Sequence, residues 1–255
     1  MEIIKIGTNR YRFFGKIKGA NSNKFNRVAK LAYMFNELEE KLYGIVERGN
    51  YISEHARCAL SLLLMMQTGI RVGNEGSAEG YMTAPHPHSK KEPEFVKTYG
   101  LTTLLMAHLM KGRGGCWHIN FVGKKQVANS FTIRGKLASV LREFHIERKI
   151  NNDLWNNSLL LNITDYQLTK FIKKYVGKQF SPKDFRTLRA NIEAWNMYKV
   201  INQRPLPERK SDLNAEVKEI ALHVSGCLNN TPGVCKKSYI DDGLFEYHFT
   251  NRWSK

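Results

Sequence analysis

Cysteine is scarce in this 255-residue chain: Cys58, Cys116, Cys227 and Cys235 stand singly, with no C-x-x-C pair among them. That usage excludes the common zinc-ribbon and thioredoxin-like patterns and reads as four reduced thiols of an intracellular protein. His86, His88, Cys116 and His118 offer donor atoms, but their spacing fits no zinc pattern, so no metal is expected there. Long apolar runs are also missing. Leu60–Met66 falls well short of the ~18 residues that cross a bilayer, and neither a signal peptide nor a lipidation motif is present, so no membrane role is expected. The phosphate-cradling G-x-x-x-x-G-K-[ST] loop is absent, and with it any sign of nucleotide chemistry. No internal repeat or low-complexity tract interrupts the chain.

Acidic residues are outnumbered. Forty Lys and Arg against twenty-three Asp and Glu leave a formal charge of +17, a field that draws polyanions and points to nucleic acid as the leading partner. The hydrophobic fraction of 42% is ordinary for a globular protein, so the charge sits on a chain able to bury a core.

The periodicity predicts a mainly helical protein with a small β element, an α+β class. Ile3–Ile17, rich in β-branched and aromatic residues and broken by Gly7, Asn9 and Gly15, reads as one short hairpin. Residues 1–27 are thus a β-hairpin extension, and 28–255 the main domain. Leu31, Phe35, Leu38, Leu42 and Ile45 recur at helical spacing up to Gly49, and a second helix starts near Ser53. Pro85, Pro87 and Pro93 make the Gly76–Lys97 stretch a surface loop. Trp117, Ile119 and Phe121 alternate with polar residues on either side of Gly123-Lys124-Lys125, a hairpin with a basic tip. Helices follow from Leu137, from a Thr164/Gln167 capping box, from Lys183 to about Val200, and from Leu213 to Leu228. Pro232 suits the first turn of another.

Three segments carry chemistry. Thr68-Gly69-Ile70-Arg71-Val72-Gly73-Asn74-Glu75 sets an Arg just beyond an apolar helix, where a guanidinium can grip two phosphate oxygens or cap the helix carbonyls. Lys183-Asp184-Phe185-Arg186-Thr187 offers a second guanidinium at a helix start, with Asp184 placed to orient it or to cap the helix. Asn230 through Lys236, Lys237 and Tyr239 puts a tyrosine among cations. A phenol of reference pKa about 10 is a poor nucleophile at neutral pH, and cations around it stabilise both phenolate and phosphorane-like transition state.

Together with Thr98-Tyr99-Gly100-Leu101-Thr102-Thr103-Leu104 and Phe121-Val122-Gly123-Lys124, these segments resemble the type IB DNA topoisomerases in the compact form of poxviruses, other large DNA viruses and bacteria. The resemblance spans roughly residues 30–242 and implies a DNA breaking-rejoining catalytic fold. It implies that Tyr239 attacks a phosphodiester to form a 3′-phosphotyrosyl bond, that Arg71 and Arg186 hold the non-bridging oxygens, and that Lys124 protonates the leaving 5′-oxygen. Asn230 stands where some relatives carry His, and can donate one hydrogen bond to the phosphate but no proton. Lys183, Tyr99, Thr102, Lys125, Lys236 and Lys237 become DNA contacts. Duplex DNA is then the partner of a monomeric, DNA-associated enzyme that relaxes supercoils without ATP, metal or other cofactor. Compact relatives precede this domain with a small β-rich one that completes a clamp; here about 27 residues precede the first helix, and the sequence leaves open whether they take that part. A tyrosine recombinase shares the residue order but presents His-x-x-Arg where Lys183 and Arg186 stand, and a non-catalytic DNA-binding relative would not keep all four principal residues.

Overall fold

The structure, a computed structural model, describes residues 23–83, 94–151 and 157–253, with the backbone of 4–5, 11–12 and 22. His86, His88 and the three prolines of the expected loop lie outside the described residues. In chain order the elements are β1 (Ile4–Lys5), β2 (Tyr11–Arg12), α1 (Ser22–Tyr33), α2 (Phe35–Arg48), α3 (Glu54–Thr68), α4 (Glu75–Glu79), β3 (Tyr81–Met82), β4 (Phe95–Val96), β5 (Leu109–Lys111), β6 (Trp117–Gly123), β7 (Val127–Ile133), α5 (Gly135–Ile150), α6 (Asp165–Tyr175), α7 (Pro182–Ile201), α8 (Lys210–Leu228), α9 (Pro232–Ser238) and α10 (Asp242–Arg252). The mainly helical α+β class is as the periodicity predicts. None of the helices is long and apolar enough to cross a membrane, among the described residues.

The expected N-terminal hairpin is present, Ile4 pairing with Arg12 and Lys5 with Tyr11. The first helix starts earlier than residue 28, because Phe25, Val28, Ala29 and Ala32 already form a buried stripe at helical spacing. The Gly76–Lys97 stretch is also more ordered than a loop at both ends. Asn74 caps α4 by accepting from Ser77 N–H at 3.0 Å, and Tyr81 and Met82 pair with Val96 and Phe95.

The residues cluster into two compact units. The first comprises the described parts of Met1–Glu40, Met65–Gly69 and Val176–Lys255. Here α7 packs on α1 and α8, α8 on α9, and α10 on α7 and α8. Its core is built from Phe25, Phe185, Leu188, Leu213, Ile220, Val224 and Leu244, all nearly inaccessible. Buried Arg252 is satisfied by Glu216 at 2.7 and 2.9 Å and by the Pro205 carbonyl at 2.8 Å, so α10 is held by a paired charge as well as by Leu244 and Phe245.

The second unit comprises Lys41–Leu64 and the described parts of Ile70–Tyr175. A three-stranded antiparallel sheet, β5-β6-β7, runs Trp117 against Ile133 through to Gly123 against Val127. Its inward positions, Trp117, Ile119, Phe121, Phe131 and Ile133, are buried, as alternation requires. Trp117 Nε1–H donates to the Ala138 carbonyl at 3.1 Å, tying the sheet to α5. Thr164 and Gln167 form the expected reciprocal cap of α6, at 2.8 and 3.1 Å.

Candidate active site

In the first unit, α7 begins with a capping box in which Asp184 Oδ2 accepts from Ser181 N–H at 2.9 Å and from Ser181 Oγ at 2.8 Å. Asp184 therefore caps the helix and meets Arg27 at 3.4 Å. Arg186, two residues on, is turned inward and only 5% exposed. Its guanidinium donates to the Gly69 carbonyl and, at 2.6 Å, to the Leu228 carbonyl. Both acceptors lie at helix ends, where carbonyls lack intrahelical partners, so Arg186 fastens the last turns of α3 and α8. Lys183 is exposed.

Beyond Leu228 the chain reverses through Asn229 at φ 47°, a left-handed conformation that Asn tolerates better than most residues. Asn230 follows. Its Oδ1 accepts from Thr231 N–H at 3.0 Å, which fixes the amide orientation and leaves Nδ2 buried with no hydrogen-bond partner among the described residues. A buried donor without a partner costs about 1–3 kcal/mol, so this amide is poised for an acceptor. Thr231 and Pro232 then start α9, as the sequence predicts, Val234 N–H reaching Thr231 Oγ1 at 3.4 Å.

Tyr239 closes α9. Its N–H donates to the Cys235 carbonyl at 3.0 Å, and its own carbonyl accepts from Asn191 Nδ2 at 2.9 Å. The other end of the Asn191 amide accepts from Asp241 N–H at 2.8 Å, so one fully buried side chain of α7 grips the backbone on both sides of Ile240. The half-buried Tyr239 ring has the Arg186 guanidinium carbon 5.4 Å and the Lys24 ammonium 5.9 Å from its centroid. Lys24 also donates to the Ser238 carbonyl. Its pKa is pushed below the ordinary lysine range, first by burial and then by Lys183. The cations at the ring thus come from α1 and α7. Lys236 lies over Phe245 instead, 5.6 Å from that ring, and Lys237 is exposed.

In the second unit, Arg71 follows directly on buried Ile70 and is partly exposed. Its loop is fixed by the Thr98–Leu104 segment: Leu101 N–H donates to the Arg71 carbonyl at 2.8 Å, and Gly73 N–H to Thr102 Oγ1 at 3.2 Å. The two strands of chain approach so closely that a Cβ on Gly100 would meet the Gly73 Cα and the Val72 carbonyl oxygen at 2.7 Å. Tyr99 N–H then donates to the Val122 carbonyl at 2.8 Å, one step before the hairpin tip. A single segment thereby connects the Arg71 loop to the Lys124 hairpin.

Lys124 and Lys125 are both exposed at that tip, where Lys125 and Gln126 hold φ of 63° and 58°. Side chains at left-handed φ cost roughly 1–2 kcal/mol per residue, so the tip keeps Lys125 against a local preference. Thr102 is 5% exposed with its hydroxyl taken by Gly73, and Tyr99 is half-buried, its ring 4.5 Å from that of His108. Both line a cavity of about 850 Å³ whose wall mixes Arg57 and Lys97 with Glu75 and Glu79 and so has no clear preference for an anion. Their visible work is to brace Arg71 and Lys124.

Of the predicted residues, the first unit thus holds Tyr239, Arg186, Asn230, Lys183, Lys236 and Lys237, and the second Arg71, Lys124, Lys125, Tyr99 and Thr102. Lys24 and Asn191 are two residues at Tyr239 that the sequence alone does not single out. Neither lies in a motif, and each reaches its target across a long sequence separation. The chain matches the sequence model of the eukaryotic DNA topoisomerase I catalytic core over residues 15–247. It is also similar to a DNA topoisomerase 1B of Acanthamoeba polyphaga mimivirus, 25% identical over 255 residues that cover 96% of this chain and 70% of the viral protein.

Proposed function

The chain belongs to the DNA topoisomerase I family, type IB, and from that premise we propose that it relaxes supercoiled duplex DNA by transient cleavage of one strand through Tyr239. The Tyr239 oxygen attacks phosphorus, the bond from phosphorus to the 5′-oxygen breaks, and the DNA is held by a 3′-phosphotyrosyl ester. Arg71 and Arg186 offset the charge gathering on the non-bridging oxygens. Lys124 gives its proton to the departing 5′-oxygen, which would otherwise leave as a strongly basic alkoxide. Asn230 Nδ2 donates to the phosphate and so acquires its missing acceptor. The ester conserves the bond energy, the free strand rotates under torsional stress, and attack by the 5′-hydroxyl restores both tyrosine and duplex. Neither ATP nor a metal enters these steps.

The observation that carries this reading is the setting of Tyr239: two cations at its ring, and an Asn191 clamp on the backbone beside it. Cations at that distance stabilise a phenolate, and the clamp holds the backbone that carries the ring. The remaining surface cations, Lys183, Lys125, Lys236 and Lys237, track the DNA backbone, in keeping with a net charge of +17. We take the working form to be a monomer located wherever its DNA is.

The test is incubation with supercoiled plasmid in EDTA without ATP, beside Tyr239→Phe. Relaxation by the unmodified protein, with DNA affinity kept and covalent adducts lost in the variant, is the expected result. Loss of DNA binding in Tyr239→Phe would make the tyrosine structural, and strand exchange without relaxation would make the protein a recombinase.

A further inference from the structure

Helices α7 and α8 meet through a polar cluster that the reaction does not use. Glu193 of α7 faces His223 and Cys227, which stand four residues apart and so share one face of α8. His223 Nε2 lies 3.1 Å from Glu193 Oε2 and 3.7 Å from Cys227 Sγ, and the three donor atoms all lie within 4.8 Å of one another. Glu193 is 8% exposed, and its other oxygen is paired with Arg189, one turn earlier on α7.

Hydrogen bonds gather the three groups: the His223 ring nitrogen and the Cys227 thiol both meet the Glu193 carboxylate. The result is a carboxylate oxygen, an imidazole nitrogen and a sulfur, three different ligand atoms, held within one small volume.

We propose that Glu193, His223 and Cys227 form a three-ligand site for a divalent cation of the zinc class, with water in the fourth position. Zinc bonds of about 2.0 Å to N and O and about 2.3 Å to S set tetrahedral ligand separations of about 3.3 Å between N and O and about 3.5 Å between N and S. The separations of 3.1 and 3.7 Å lie near those values, and the carboxylate oxygen and the sulfur lie within 4.8 Å of each other. A thiolate and an imidazole select a borderline-soft ion over magnesium or calcium, which prefer oxygen. Binding releases the Cys227 proton, and Arg189 orients the Glu193 carboxylate from outside the ligand set. The site would join α7, which carries Arg186 and Asn191, to the end of α8 that leads into Asn230.

The test is titration of the metal-stripped full chain with cobalt(II), followed by displacement with zinc. One equivalent per chain is expected, giving a thiolate-to-cobalt band in the near ultraviolet and the intense visible bands of four-coordinate cobalt, with no response to magnesium. Cys227→Ser should abolish the thiolate band. Glu193→Gln and His223→Gln should each weaken binding by about tenfold or more. His223 is about one-third exposed, so His223→Gln serves if the Glu193 variant fails to fold. Cys116 also lies 3.7 Å from a histidine nitrogen, that of His118, and Cys116→Ser should leave the band intact. No thiolate band, a band lost in Cys116→Ser but kept in Cys227→Ser, or equal thermal stabilisation by zinc in Cys227→Ser and the unmodified protein would each overturn the proposal. These readouts require no DNA, so they stand or fall apart from relaxation.

Discussion

The two units hold their functional groups by opposite means. In the unit that bears Tyr239, side chains grip distant backbone: Arg186 holds Gly69 and Leu228, Asn191 holds Tyr239 and Asp241, and Lys24 holds Ser238. In the unit that bears the hairpin, backbone grips backbone for the most part, Leu101 to Arg71 and Tyr99 to Val122, with the Thr102 hydroxyl on Gly73 as a side-chain grip in that loop. A side-chain grip can be cut by one substitution, whereas a backbone grip survives most of them. Replacing Lys124 should therefore remove only the chemistry of Lys124, while in the Tyr239 unit a residue that never touches DNA should matter almost as much as one that does.

The largest effect should come from the hairpin. Lys124→Ala is expected to slow strand cleavage by roughly 10²–10⁴-fold, the usual worth of a positioned general acid, with little change in folding because the side chain is exposed. Cleavage of a substrate with sulfur in place of the bridging 5′-oxygen should be restored nearly in full, since a thiolate leaves without a proton. An equal defect on both substrates would show that Lys124 shapes the site and would break the comparison.

Next is Asn191→Ala. It removes the bonds at 2.9 and 2.8 Å that hold the chain on either side of Ile240, and a displacement of about 1 Å in a reacting group can cost ~100-fold. Single-turnover cleavage should fall by about that factor while DNA affinity in a filter-binding assay stays within about twofold, because Asn191 is fully buried. A loss confined to affinity would contradict the clamp.

Lys24→Met should cost less, about tenfold in cleavage, as the loss of one partly screened cation near a developing phenolate charge. The sign of its pH dependence follows from burial. Because the Lys24 pKa is lowered, its ammonium loses charge at a lower pH than an ordinary lysine would. The ratio of unmodified to variant rates should therefore be largest near neutrality and narrow as pH rises. A ratio independent of pH would mean that Lys24 acts only through its bond to Ser238.

Motifs with local spacing could be read from the sequence: the alternation of Trp117, Ile119 and Phe121, the Thr164/Gln167 box, the Pro232 turn, and the segments around Arg71, Arg186 and Tyr239. Helix α10 could not be read that way. Its buried face includes His248 and Arg252, which count as surface residues until Glu216 is known to lie against them at 3.0 and 2.7 Å. Asn191 was illegible for a related reason: a mid-helix Asn is ordinary until its partners, 48 and 50 positions away, are in view. Thr102 shows a different gap. Its place in a recognisable motif reads as a DNA contact, and only the structure shows that its hydroxyl also accepts from Gly73 N–H inside the unit. A motif marks which residues are constrained without saying whether they face the substrate or brace the residue that does.

The smallest predicted effect separates strain from charge at the hairpin tip. Lys125 and Gln126 both sit at left-handed φ, where glycine has no Cβ to clash, and relief of that strain is partly offset by glycine's greater freedom in the unfolded chain. Gln126→Gly and Lys125→Gly should each change stability by less than about 1 kcal/mol. Their difference on DNA should be larger than their difference in folding, because only Lys125→Gly removes a cation. If Lys125 meets a phosphate, the slope of log affinity against log salt should become shallower by about 0.9 in that variant alone. Equal slopes in the two variants would reduce Lys125 to a solvated charge and leave Lys124 as the tip's contribution to the reaction.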